Sequence, residues 1–144
     1  MRSAIKATIV TPRGKINVMG THLDHIHEES RLRQLSILES YLTDVDYFMG
    51  DFNSLHLEDY TKERIEDINT QRKLSNWPLA QGDVVNKIKK CGFKVHSNCS
   101  STSRFDTRID FIFYRNSSLN LYFVFDCIFR HLSDHNIVVA TIIK

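Results

Sequence analysis

With 144 residues, the chain is long enough for one domain with a real core, since single cores span roughly 100 to 200 residues. At 42% apolar and 25% charged, with 5 Gly and 2 Pro, its composition excludes disordered and collagen-like classes. A formal charge of +2 neither announces nor repels an anionic partner such as nucleic acid. The most apolar stretch, Leu119 to Phe129, is interrupted by Asn120 and Asp126, so no membrane span of roughly 18 apolar residues is expected. Met1 to Val10 carries Arg2 and Lys6 but no apolar run followed by small residues, which argues against a secretory signal. Cys91, Cys99 and Cys127 read as reduced thiols of a cytoplasmic or nuclear protein. The glycosylation sequons at Asn98 and Asn116 then carry little meaning.

In chain order, Ala4 to Thr11 and Lys15 to His22 are β-leaning runs. Pro12-Arg13-Gly14 separates them as a hairpin turn and predicts antiparallel pairing. From Glu28 to Leu42, Leu32, Leu35, Leu38 and Leu42 recur at helical spacing. Ile37 and Tyr41 widen that stripe, while Arg31, Arg33 and Glu39 are expected to face outward. Val45 to Met49 is a short strand-like run ending at Gly50, and Leu57 to Lys73 reads as helix or partly ordered insertion. Val84, Val85, Ile88 and Cys91 predict a helix over Gln81 to Cys91, stopped by Gly92. Its Lys87, Lys89 and Lys90 read as a solvated face, because no aromatics are interleaved. Arg108 to Tyr114 alternates Ile109, Phe111 and Phe113 against Asp110, Ile112 and Tyr114. Leu119 to Phe129 and Asn136 to Ile143 are further β-branched or aromatic runs. No repeat or linker divides the chain. The expectation is one α/β (α+β) domain, strands and helices interleaved on a largely antiparallel sheet.

Four clusters place polar groups at the ends of strand-like runs: Thr21-His22-Leu23, Gly50-Asp51-Phe52-Asn53, Arg108-Ile109-Asp110 and Ser133-Asp134-His135. Side chains at strand ends can converge on one edge of a sheet. Asp51 and Asp134 can hold a hard divalent cation, His22 and His135 can move protons or meet an anionic oxygen, and Asn53 adds a neutral donor. Asp110 is suited to hold a histidine in one tautomer. Together these groups describe metal-assisted attack of water on phosphorus. Taken singly, each has an ordinary explanation, Gly, Asp and Asn being the residues that tolerate tight turns.

The order Thr21-His22-Leu23-Asp24-His25, Arg31 and Gln34, Gly50-Asp51-Phe52-Asn53-Ser54, Thr107-Arg108-Ile109-Asp110-Phe111-Ile112 and Ser133-Asp134-His135 resembles the endonuclease/exonuclease/phosphatase superfamily from about residue 15 onward. The resemblance implies a four-layer α/β sandwich of two largely antiparallel sheets with helices outside, of which residues 1–144 form a single, incomplete domain corresponding to the C-terminal part. It further implies His135 as general base, Asp110 as its orienting partner and Asp134 as a metal ligand. Asp51 would position water and help hold Mg²⁺ or Mn²⁺. Asn53 would bind the phosphate, and His22 would contact a phosphate oxygen or assist the leaving group. The implied activity is metal-dependent hydrolysis of a phosphate ester, as in a nuclease or phosphodiesterase, with nucleic acid a candidate substrate.

Two departures qualify that implication. The family's principal metal-binding Glu precedes the Thr-His-Leu motif, and Met1 to Leu23 contains no Asp or Glu, while Asn17 lies within a strand. A full domain would need roughly 100 further residues for its complementary sheet, so a truncated member is expected, with an open apolar face, a partner chain that could complete the sheet, and weak or absent hydrolysis by the chain alone. Around Gly50 to Tyr60 there are no inositol-phosphatase or apurinic-endonuclease signatures, and the deadenylase branch is not supported by Leu55 to Tyr60. The alternatives are a non-catalytic phosphate-binding or interaction module on the same fold, and a transition-metal cluster of His22, His25 and His27 with Glu28 and Glu29.

Overall fold

A computed structural model describes residues 2–96, 100–115, 118–125 and 133–143. Cys99, Cys127, Asn98, Asn116 and residues 126–129 lie outside the described residues. The elements are β1 (Ala4–Thr11), β2 (Gly14–His22), α1 (Glu28–Leu38), β3 (Tyr47–Asp51), α2 (Lys62–Leu74), α3 (Asp83–Lys90), β4 (Asp110–Tyr114), β5 (Ser118–Phe125) and β6 (Ile137–Ile143). The order β1-β2-β3-β4 forms one sheet and β5-β6 another. Both β1–β2 and β3–β4 are antiparallel, and β2–β3 is parallel. The parallel step needs a crossover between the two strands, which α1 supplies. The fold is mixed α/β with mostly antiparallel pairing, as expected. Strand β6 meets β4 and pairs antiparallel with β5. Among the described residues no helix is long and apolar enough to cross a membrane.

One face of the larger sheet carries the core. In register across it stand Met19, Phe48 and Phe113, with Phe111 opposite Gly50. Leu35 of α1 and Val84, Val85 and Ile88 of α3 pack on these residues together with Phe52 and Phe93. Phe52 meets Phe48 and Phe113 edge to face at 4.9 and 5.0 Å between centroids. Each such side chain, fully buried, contributes roughly 1.5–3 kcal/mol. The opposite face aligns Ile5, Gly20 and Met49 with Ile112, and Ile9 with Ile16. Ile5 is 75% and Ile9 48% exposed, so this apolar face is open at the β1 edge.

Several local expectations change. Helix α1 stops at Leu38 and tightens into a 3₁₀ turn, Glu39–Tyr41. Arg31, expected outside, is buried at 3%, whereas Ile37 and Tyr41 face solvent. Buried Glu28 explains the inversion, because its carboxylate accepts from Arg31 Nε at 2.8 Å and turns that side chain inward. The uncertain Leu57 to Lys73 segment is a 3₁₀ turn, Leu57–Asp59, followed by α2. Thr61 caps α2 by accepting from Arg64 N–H, with Arg72 and Lys73 in its last turn, the arrangement that the helix dipole favours. Of the α3 lysines, Lys90 is exposed as expected, while the other two also make surface ion pairs. Lys87 pairs with Glu39 at 3.3 Å and Lys89 with Glu58 at 3.2 Å.

Candidate active site

The pairing register places His22, Asp51 and Asp110 in one row across the ends of β2, β3 and β4. Gly50 makes that row possible. Its φ is +136°, and a Cβ there would lie 1.9 Å from the backbone oxygen of Thr21, a contact no other residue could accept. After Asp51 the chain turns at once: Phe52 N–H donates to Ile109 O at 2.9 Å, and Leu23 N–H donates to Asp51 O at 2.9 Å. Asn53 sits in the left-handed region at φ 50°. Its backbone N–H donates to Asp51 Oδ1 at 2.9 Å, and its side-chain amide donates to Leu23 O at 3.2 Å. The Gly-Asp-Phe-Asn stretch is therefore both a turn and part of the site.

His135 arrives from the other end of the chain. It bridges to Ser103, Asn136 N–H donates to Thr102 O at 2.8 Å, and His135 N–H donates to Ser133 Oγ at 3.0 Å. The Thr102 hydroxyl also accepts from the N–H groups of Ile109 and Asp110 at 3.0 and 3.1 Å. One fully buried threonine thus ties the β4 start to the His135 segment. Composition had not singled it out. Its only sequence signal was a Thr-Ser pair shortly before Arg108-Ile109-Asp110.

The outcome is a histidine held between two carboxylates. His135 Nδ1 lies 2.8 Å from Asp110 Oδ2, and its Nε2 lies 3.9 Å from Asp51 Oδ2. Burial opposes protonation of His135, but the hydrogen bond to Asp110 and the charges of Asp110, Asp51 and Asp134 outweigh it and raise its pKa. The Asp51 carboxyl is also raised, first by burial and then by the charge of Asp110, against the Asn53 hydrogen bond and the two histidines. Two acids pushed together beside an imidazole favour a cation between them. Ligand atoms of Asp51, Asp110 and His135 all lie within 4.8 Å of one another, which fits an oxygen-rich divalent site.

His22 Nε2 is 3.3 Å from Asp51 Oδ2, and the Arg2 guanidinium donates to His22 Nε2 at 3.2 Å and to His25 Nδ1 at 3.1 Å. Asp134 lines the same cavity, but its carboxylate is half exposed and faces Arg104 at 3.7 Å, outside the three-residue cluster. The histidine-rich alternative does not assemble: Arg2 engages His22 and His25, Glu28 turns inward onto Arg31, and the Asp51, Asp110 and His135 group is the metal-type cluster found among the described residues.

A further polar network underlies the site. Buried Arg108 donates to Asp59 at 2.9 Å, its backbone N–H donates to Tyr60 Oη at 2.7 Å, and His56 Nδ1 meets Asp59 at 2.9 Å. These contacts anchor the residues before Asp110 against the 3₁₀ turn that precedes α2. The cavity above spans ≈ 630 Å³, within the range of small-ligand sites.

No family model and no curated protein matches the chain. Solved structures do. An endonuclease/exonuclease/phosphatase from Beutenbergia cavernae aligns with a TM-score of 0.71 at 21% identity, over 96% of this chain and 38% of that one. The inositol polyphosphate 5-phosphatase domain of SPsynaptojanin, in complex with inositol (1,4)-bisphosphate and calcium ion, aligns at 0.65 and 20% identity, over 98% and 50%. The endonuclease domain of TRAS1, a telomere-specific non-LTR retrotransposon, aligns at 0.64 and 18%, over 98% and 67%. The chain thus has the endonuclease/exonuclease/phosphatase fold and spans about two fifths to two thirds of the length of these structures.

Proposed function

We propose that the chain is a metal-dependent hydrolase of phosphate esters, with phosphodiesters as its substrate class. The observation that carries this reading is His135 held at Nδ1 by Asp110 while its Nε2 faces Asp51 across the floor of an open cavity. Asp110 keeps the proton on Nδ1, leaving Nε2 to accept one from water, and Asp51 offers that water an acceptor that fixes its approach. Asn53 and His22 present polar groups to the non-bridging oxygens of the ester. Asp51 would hold Mg²⁺ or Mn²⁺, with Asp110 beside it and Asp134 on the same cavity wall. Such an ion, when bound, supplies Lewis-acid stabilisation of charge developing on the phosphoryl oxygens.

Slow turnover of bis(p-nitrophenyl) phosphate is expected with Mg²⁺ or Mn²⁺ and none with EDTA. His135→Ala should lower kcat by about 10²- to 10⁴-fold, the usual contribution of a general base, and Asp51→Ala should remove the metal dependence with the activity. Folded protein that binds inorganic phosphate without any metal-dependent turnover would establish instead a phosphate-binding module. The engagement of Asp134 by Arg104, which leaves two carboxylates at the cluster, is what favours that second reading.

A further inference from the structure

Asp110 and His135 meet at 2.8 Å although they stand 25 positions apart in the chain, and a third stretch, Ser101 to Arg104, touches the backbone of both. On the His135 side, Ser103 and His135 form an antiparallel bridge. Beside it Asn136 N–H donates to Thr102 O at 2.8 Å, Arg104 N–H donates to Asp134 O at 2.9 Å, and the Asn136 side-chain amide donates to Ser101 O at 3.1 Å. On the Asp110 side, the Thr102 hydroxyl accepts from Ile109 N–H at 3.0 Å and from Asp110 N–H at 3.1 Å.

A hydroxyl oxygen has two lone pairs. Both are taken here by adjacent backbone N–H groups, which fixes the start of β4 in direction as well as in distance. Strand β4 is the last of its sheet, and the Thr102 hydroxyl supplies at Asp110 an acceptor that no further strand of that sheet provides. Thr102 is fully buried, so water does not compete for those N–H groups. The turn between Thr102 and Asp110 is closed without this hydroxyl. The N–H groups of Thr102 and Ser103 both donate to Thr107 O at 3.0 Å, and the Ser103 and Thr107 hydroxyls meet at 2.8 Å. What the Thr102 side chain adds is the position of Asp110 relative to the segment that carries His135.

We propose that Thr102 is a positioning residue of this site, setting the Asp110 carboxylate against His135 Nδ1 through the two N–H groups that its hydroxyl holds and the Asn136 N–H that its carbonyl holds. The inference rests on the hydrolase reading above and deepens it. A general base works only when its bare nitrogen faces the attacking water, and the Asp110 contact decides which nitrogen of His135 is bare. Valine in place of Thr102 nearly keeps the shape but removes the acceptor. The N–H groups of Ile109 and Asp110 are then stranded, so the start of β4 must shift to find other partners. Serine keeps the acceptor and drops one methyl group.

The test compares wild type, Thr102→Val and Thr102→Ser in the full chain. In EDTA and alkaline buffer, where the imidazole is neutral, the ring nitrogen NMR shifts of His135 are assigned by their loss in His135→Gln. They should show one tautomer, with the proton on Nδ1, in wild type and Thr102→Ser, and a mixture in Thr102→Val. With Mg²⁺ or Mn²⁺, Thr102→Val should lower kcat on bis(p-nitrophenyl) phosphate about 10²-fold, the usual result of misplacing a reacting group by about 1 Å. KM should stay unchanged, and Thr102→Ser should keep most of the rate. In wild type alone, the Ile109 and Asp110 amides should exchange slowly with deuterium, as N–H groups held by a buried acceptor do. Fast exchange at both amides, or a single His135 tautomer in folded Thr102→Val, overturns the inference, and the first of these needs no variant to fold. Failure here is separable from failure of the catalytic reading. A tautomer that depends on Thr102 in a protein without turnover upholds the positioning and removes the hydrolase alone, whereas turnover with a tautomer indifferent to Thr102 removes the positioning alone.

Discussion

His135 has its two ring nitrogens turned toward different aspartates, Asp110 at 2.8 Å and Asp51 at 3.9 Å. A histidine so placed is more basic than a free one, because protonation satisfies both carboxylates. In metal-free protein, the His135 ring resonances should titrate above the ordinary value of about 6.5, and Asp110→Asn should bring the midpoint down. The stability linkage has the same sign. A raised histidine pKa stabilises the fold below the unfolded value, and that gain is lost as pH rises through the folded one. The unfolding midpoints of wild type and Asp110→Asn should therefore converge above neutral pH. A His135 that titrated at or below its free value would show that burial wins over its aspartates. At this scale the sequence was most legible. Gly50, Asp51, Asn53, Asp110 and His135 stand out as types and spacings, and the structure shows why Gly50 must be glycine.

Helix α1 shows what a periodic pattern misses. Its apolar stripe correctly located Leu35, but the rule that charge faces water failed at Glu28 and Arg31, which are buried against each other at 2.7 Å. Glu28 Oε1 also accepts from Val84 N–H at the start of α3 and from Ser54 Oγ after the Asp51 turn, at 3.0 and 3.2 Å. A single carboxylate therefore joins α1, α3 and the loop after Asp51, and no local pattern encodes a three-way contact. Glu28→Gln should cost about 3–5 kcal/mol in urea unfolding, the usual result of stranding one member of a buried pair. The double variant Glu28→Gln/Arg31→Met should recover much of that loss. If the single variant were as stable as wild type, the pair would be incidental.

Across the whole molecule, β3 and β4, distant in sequence, bring Asp51 and Asp110 side by side at one end of the sheet, and the fold carries their repulsion. Asp51 is held above its ordinary pKa by burial and by Asp110, so its ionised form opposes folding at neutral pH. Without metal, Asp51→Asn should raise the melting temperature. With Mn²⁺ or Mg²⁺, wild type should gain stability, about 2.7 kcal/mol at a hundredfold excess over Kd, and the variant should gain little. Scanning calorimetry with and without the ion reads both effects. A variant that gained as much as wild type would move the ion away from Asp51. The same scale exposes the second face of the sheet, where Ile5 and Ile9 project at an edge strand. The β-leaning run of β1 and the Pro12-Arg13-Gly14 turn had shown the strand and its pairing, but not which of its faces would find a partner.

Sequence alone located the β1–β2 hairpin, the short strands β3 and β4, helices α1 and α3 within a few residues, and the polar residues at the strand ends. These follow from short-range periodicity, turn residues and side-chain type, all of which act within a few positions of the chain. Only the tertiary structure decided that Asp110 faces His135 while Asp134 faces Arg104, that Arg31 points inward, and that Trp77 meets Phe105 on the cavity that Asp51 and His135 also line. Each of those facts depends on segments distant in sequence being brought within a few ångströms by the packing of the sheet and its helices. Local pattern carries no information about such distances, since the same alternation of residues is compatible with many partners until the core selects one.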